Sequence, residues 1–217
     1  FLLMFLGGVV YGQNTDNQSA THIFWDINHP LSPDDFNTME QATEQADSLC
    51  KNSNLCWGAY TGFFSILDAP KKRRKRGKLL EKVYFAPAFD KIQSYKLNDD
   101  VLQFQKQALV FDIYELAARF ARKELQALIG STMPDAYGTR IIFFETAKAS
   151  ANKYLAAMVY AYTQDVYIKN KEGAYEEWKV KIAEQLEANK EFETSKEEQQ
   201  RFITNQPLDE RYEMAET

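Results

Sequence analysis

From Asp99 onward the apolar residues fall at helical intervals. Leu102, Leu109, Ile113, Leu116 and Phe120 are separated by seven, four, three and four positions, which marks one face of a long helix. The pattern predicts that this helix starts from a cap at Asn98 or Asp99 and runs to about Leu128, before Gly130. A second helix is expected from Thr139 to about Tyr167, with Ile142, Phe143, Tyr154, Leu155, Met158 and Tyr162 as its buried positions. A third is expected from Tyr175 to about Ala188, where Trp178, Ile182 and Leu186 recur every fourth residue. The first half of the chain reads differently. His22 to Trp25 suits a short strand, and Ser32-Pro33-Asp34-Asp35 has a capping Ser with Pro at the first helical position, a short helical turn. Cys56 to Leu67 and Leu79 to Phe89 are aromatic and β-branched enough for strands, with Val83, Phe85 and Pro87 on one face of the second. The expected fold class is therefore α+β: a small N-terminal sheet or hairpin packed on a C-terminal bundle of about three helices.

The ends of the chain depart from this pattern. Phe1 to Val10 is almost wholly apolar and gives way to the polar Tyr11-Gly12-Gln13-Asn14. This resembles the apolar core and cleavage site of a signal peptide, with Val10 and Gly12 as the small residues ahead of a mature start near Gln13. A buried N-terminal strand or the tip of a membrane anchor is the alternative. The run is too short to span a bilayer, which takes about 20 apolar residues, and no other stretch approaches that length. The expected organisation is a signal remnant over 1–12, one domain over 13–190 and a charged, loosely packed tail over 191–217. The location expected is periplasmic or secreted, without a transmembrane span.

Composition limits the function classes. Aromatic residues make up 14% of the chain, which argues against general disorder. The net charge of −5 gives no overall reason to bind nucleic acid. One local exception is the run Lys71, Lys72, Arg73, Arg74, Lys75, Arg76, Gly77, Lys78, with seven cations in eight positions between the two longer strands. It could bind an anionic envelope polymer or a lipid headgroup, or it could be a solvated hairpin loop. It lacks the interleaved aromatics that single-stranded nucleic acid recognition uses. Cys50 and Cys56 are the two cysteines. In an exported chain they are expected to form a local disulfide; two free thiols are the alternative.

The run from Phe111-Asp112-Ile113-Tyr114-Glu115-Leu116 to Lys123-Glu124-Leu125 resembles a segment of a bacterial family of exported domains. That family is catalogued as domain of unknown function 922 and regarded as zinc-dependent peptidases. Trp25-Asp26-Ile27-Asn28 with Leu31 to Phe36, the strand with Val83-Tyr84-Phe85, and Tyr162 to Leu186 resemble its other blocks in the same order. The resemblance implies a zinc-peptidase-like frame. Members carry His-Glu-x-x-His directly before Phe-Asp-Ile, and a further His ahead of the closing Trp. In this register those four positions hold Lys106, Gln107, Val110 and Ile168. Zinc needs two neutral imidazoles on one helix face and a carboxylate beside them to activate water. Lysine at neutral pH, an amide and two aliphatic side chains supply neither.

The chain's two histidines, His22 and His29, both lie in the first block. The resemblance therefore implies a degenerate member with no metal or cofactor. Lys106 is expected either to reach water or to pair with a carboxylate such as Glu145.

No Gly-rich phosphate loop and no Gly-x-Ser-x-Gly occurs. Asp112 with Glu115, and Asp34 with Asp35, are spaced to act as carboxylate pairs, although a solvated face explains such spacing more often. Two classes remain open: a non-catalytic binding or structural module of the cell envelope, and a secreted hydrolase working through residues that no motif reveals.

Overall fold

The computed structural model describes residues 17–38, 44–132 and 136–215; the expected signal remnant over 1–12 lies outside them. Its strands are β1 (His22–Phe24), β2 (Trp57–Gly58), β3 (Thr61–Pro70), β4 (Lys82–Asp90), β5 (Tyr95–Lys96) and β6 (Tyr212–Met214). Its α-helices are α1 (Glu44–Ser53), α2 (Val101–Gly130), α3 (Thr139–Thr163), α4 (Ala174–Ala188) and α5 (Lys196–Thr204). The fold is α+β. One antiparallel sheet has the order β1-β4-β3-β6, and β2 pairs with β5 beside it.

Local chemistry explains most element ends. Asp100 caps α2, accepting from the backbone N–H groups of Leu102 at 2.9 Å and Gln103 at 3.2 Å. The cap falls just past the expected Asn98 or Asp99. Pro33–Asp35 forms the expected helical turn, and Asp35 reaches back to the Ser32 N–H at 2.7 Å. The strand expected over Cys56 to Leu67 is divided: β2 leaves at Trp57–Gly58 to pair with β5, and β3 then takes over. At Gly58 a Cβ would come within 2.5 Å of the Tyr95 ring, so glycine allows that pairing.

The core lies between the sheet and α2 with α3. Phe85 is sandwiched between Phe63 and Phe144, each ring centroid 5.8 Å away. Ala117, Ala118 and Ala121 of α2 and Ala147 and Ala151 of α3 are fully buried. Such small side chains let the two helices approach closely. The expected face of α3 is corrected at Ile142, which is 69% exposed, while neighbouring Phe144 fills the core. Leu102 on α2 is likewise exposed. Apolar residues surround α3 on several sides, so spacing alone does not select the inward one.

The tail also differs from the loose segment expected over 191–217. Through Met214 it supplies α5 and β6, and it buries Thr194, Glu198, Gln199 and Arg201. Among the described residues β1 covers β4 only from Ala88 to Asp90, which leaves the Phe85 backbone beyond the end of β1. Glu198 accepts the Phe85 N–H at 3.2 Å, and Arg122 donates to the Phe85 carbonyl. The charged tail thus closes an edge that would otherwise present unpaired backbone groups. Phe202 and Ile203 cover the sheet's second face at Phe24, Ala86 and Ala88.

Candidate functional site

The four positions singled out by the resemblance do not all meet. A groove of about 380 Å³ includes Lys106, Gln107, Val166 and Tyr167, but neither Val110 nor Ile168 lines it. Val110 packs into the apolar cluster around Tyr162 and Trp178, and Ile168 is 64% exposed. The reason lies in the end of α3, where Gln164–Ile168 forms a π turn. A π turn holds one more residue than an α turn and shifts the helix face, so Tyr167 rather than Ile168 meets α2.

Gln107 is a strut within this groove. Its Oε1 accepts the Ala59 N–H at 3.1 Å, and its Nε2 donates to the Tyr167 hydroxyl at 2.9 Å. The Lys106 ammonium lies 5.8 Å from the Tyr167 ring centroid, within cation–π range. Tyr162 donates to the Lys106 carbonyl at 2.7 Å. Burial pushes the hydroxyls of Tyr162 and Tyr167 above the ordinary tyrosine range. The suggested Lys106–Glu145 pair is absent: Glu145 is exposed and pairs with Lys148 at 3.1 Å. Among the described residues, no three His, Cys, Asp or Glu side chains come together to hold a metal.

The two carboxylates spaced on α2 are both turned inward, against the reading of a solvated face. Glu115 is completely buried. It accepts from Arg119 Nε at 2.8 Å, from the Thr194 N–H at 3.0 Å and from the Thr194 hydroxyl at 2.6 Å. Burial raises its pKa, against the opposing pull of Arg122 and Arg119. Arg122 extends the network to Glu198 at 2.7 Å. These groups join α2 to the tail and act structurally.

Asp112 has a different environment. It accepts from the Trp25 indole Nε1 at 2.8 Å, and burial pushes its carboxyl above the usual range. It borders a cleft of about 420 Å³ between Trp25 to Leu31, the first half of α2, and α4. Asp26 and His29 line the same cleft, 2.9 Å apart, and Asp26 also pairs with Lys196. Trp25 and Asp112 were present in the blocks that carry the family resemblance, but nothing local in the sequence ties them together. Of the other spaced pair, Asp35 is half-buried and caps its own turn, while Asp34 is exposed and faces Lys96 at 3.6 Å. His22 lies in β1, its ring edge-on to Phe64.

The basic run caps the β3–β4 hairpin. Arg73–Lys75 makes one 3₁₀ turn, and the chain reverses at Gly77, whose φ of 93° favours glycine. Arg76 anchors the loop, donating to the Pro70 carbonyl at 3.3 Å with its guanidinium 5.3 Å from the Tyr137 ring. Lys71, Lys72, Arg73, Arg74, Lys75 and Lys78 are exposed. None of these six joins an ion pair among the described residues.

Cys50 of α1 and Cys56 are joined in a disulfide across a loop that turns at Asn54. No helix among the described residues is long and apolar enough to cross a membrane. Comparison of the chain with family models, with curated proteins and with solved structures gives no match in any of the three.

Proposed function

We propose that this chain is a non-catalytic, exported binding module of the cell envelope on a zinc-peptidase-like frame, and that the β3–β4 tip docks it on anionic lipid headgroups. The observation that carries this reading is the exposed, anchored tip. The run contributes +7 to a chain whose net charge is −5, leaving −12 on the rest. Such a distribution orients the molecule toward a negative surface with one end. The non-catalytic part rests on Gln107, which takes the general-base position of the resembled motif and is committed to Ala59 and Tyr167. The disulfide favours an oxidising compartment, which is the support for export.

Co-sedimentation with vesicles of phosphatidylcholine, with and without phosphatidylglycerol, tests the docking. Binding should require the anionic lipid and weaken with salt. Each cation near such a surface contributes about 1 kcal/mol, so replacing Lys72, Arg73 and Arg74 by Ser should weaken binding roughly a hundredfold. Binding to dextran sulfate but not to vesicles would assign the tip to a soluble polymer instead. Metal analysis of the purified protein tests the other half: tightly bound stoichiometric zinc, or peptide hydrolysis, would overturn the non-catalytic reading.

A further inference from the structure

The Trp25–Asp112 cleft contains an acceptor that the fold leaves under-used. A carboxylate offers about four lone-pair sites. Among the described residues Asp112 receives one hydrogen bond, from Trp25 Nε1 at 2.8 Å. The nearby Arg119 guanidinium donates elsewhere and makes no hydrogen bond to Asp112 among the described residues. Arg119 gives Nε to Glu115, Nη1 to the Leu186 carbonyl and Nη2 to Glu193. Asp26, on the same cleft, is unlike Asp112 because its oxygens already accept from Asn28, His29 and Lys196. Around Asp112 the cleft wall is mainly apolar, from Trp25, Leu31, Phe104, Leu109 and Leu186. Among the described residues, the Lys or Arg side chain that lines it is Lys179, which is more than half exposed and has Glu176 at 3.9 Å.

We infer that the cleft binds an organic ammonium ion carried on an apolar body, with the ammonium donating to Asp112 and the body lying against Trp25, Leu31 and Phe104. A half-buried carboxylate with spare lone pairs, to which no cation among the described residues is hydrogen-bonded, is the complement of a cation arriving from outside. A neutral alcohol of the same shape would satisfy the walls and supply one weak donor. The ammonium adds a charge-assisted bond to the carboxylate. The volume of about 420 Å³ is within the range of small-molecule clefts.

The test uses the full chain at neutral pH, with 2-phenylethylamine and 2-phenylethanol titrated by calorimetry. The amine should bind about tenfold more tightly than the alcohol, the usual advantage of a charge-assisted bond over a neutral one. Asp112→Asn keeps an oxygen for the Trp25 indole and removes the charge, so the preference should fall to less than about twofold. Lys179→Gln should bind the amine at least as well as the unmodified chain does. Equal affinities for the two probes, or saturable binding of neither, would overturn the inference without reference to any variant. So would an unchanged preference in folded Asp112→Asn. An amine preference that emerges only in Lys179→Gln would mean that Lys179 itself occupies the site, and would overturn it too.

Discussion

Arg201 of α5 and Asp68 of β3 form a two-pronged ion pair, Nε to Oδ2 at 2.7 Å and Nη2 to Oδ1 at 2.8 Å, with both side chains shut off from water. The pair joins residues 133 positions apart and holds the tail against the hairpin. Arg201→Met would leave Asp68 buried without its counter-charge and should cost about 3–5 kcal/mol. Exchanging both residues for apolar ones of similar size should recover most of that loss, because no lone charge then remains. Urea unfolding of the single and double variants measures both values.

Asp26 makes stability depend on acid. Burial alone would raise its pKa, but the hydrogen bonds from Lys196, His29 and the Asn28 backbone outweigh it and hold the carboxyl at about 2, against an ordinary 3.8. A depressed folded pKa gives stability that is complete above the unfolded value and is lost as pH falls through about 2. Lys196 is more than half exposed, so solvent screens the pair. Asp26→Asn should therefore cost roughly 1–2 kcal/mol at pH 7, and the difference from the unmodified chain should shrink on acidification. Denaturation curves for both proteins at a series of pH values will show whether they converge.

Gln107 bridges β2's following loop to the π turn, so its loss should be felt as instability. Gln107→Leu leaves the Ala59 N–H and the Tyr167 hydroxyl without this partner. The expected cost is about 2 kcal/mol. A change in thermal midpoint within experimental error would mean that the amide is not a strut.

The Cys50–Cys56 bridge closes a short loop, with a sequence separation of 6. Entropy removed from the unfolded chain grows with loop length, so reduction should destabilise by only about 2 kcal/mol. Thiol titration of the unfolded, unreduced protein should find no free thiol.

Sequence alone determined the features whose causes are local. Periodicity marked α2 through Leu109, Ile113 and Leu116, and α4 through Trp178 and Ile182, because a helical face repeats within a few residues. Ser32 with Asp35 marked its turn because a capping box spans four positions. The mixed first half and helical second half were legible for the same reason. Of the candidate site, Lys106 and Gln107 do share a groove. Tertiary structure decided the rest. Glu115, Asp112 and the charged stretch after Glu191 read as solvated because an ionisable side chain without a partner belongs in water. Their partners, Thr194, Trp25, Arg122 and Asp68, lie 76 to 133 residues away for the pairs Arg122–Glu198 and Asp68–Arg201, 79 for Glu115–Thr194 and 87 for Trp25–Asp112. A local window cannot distinguish a charge paired at that distance from one facing solvent. Ile168 follows the same logic: counting from Trp178 assumes regular backbone, whereas a π turn at the end of α3, lying against α4, puts Tyr167 in its place.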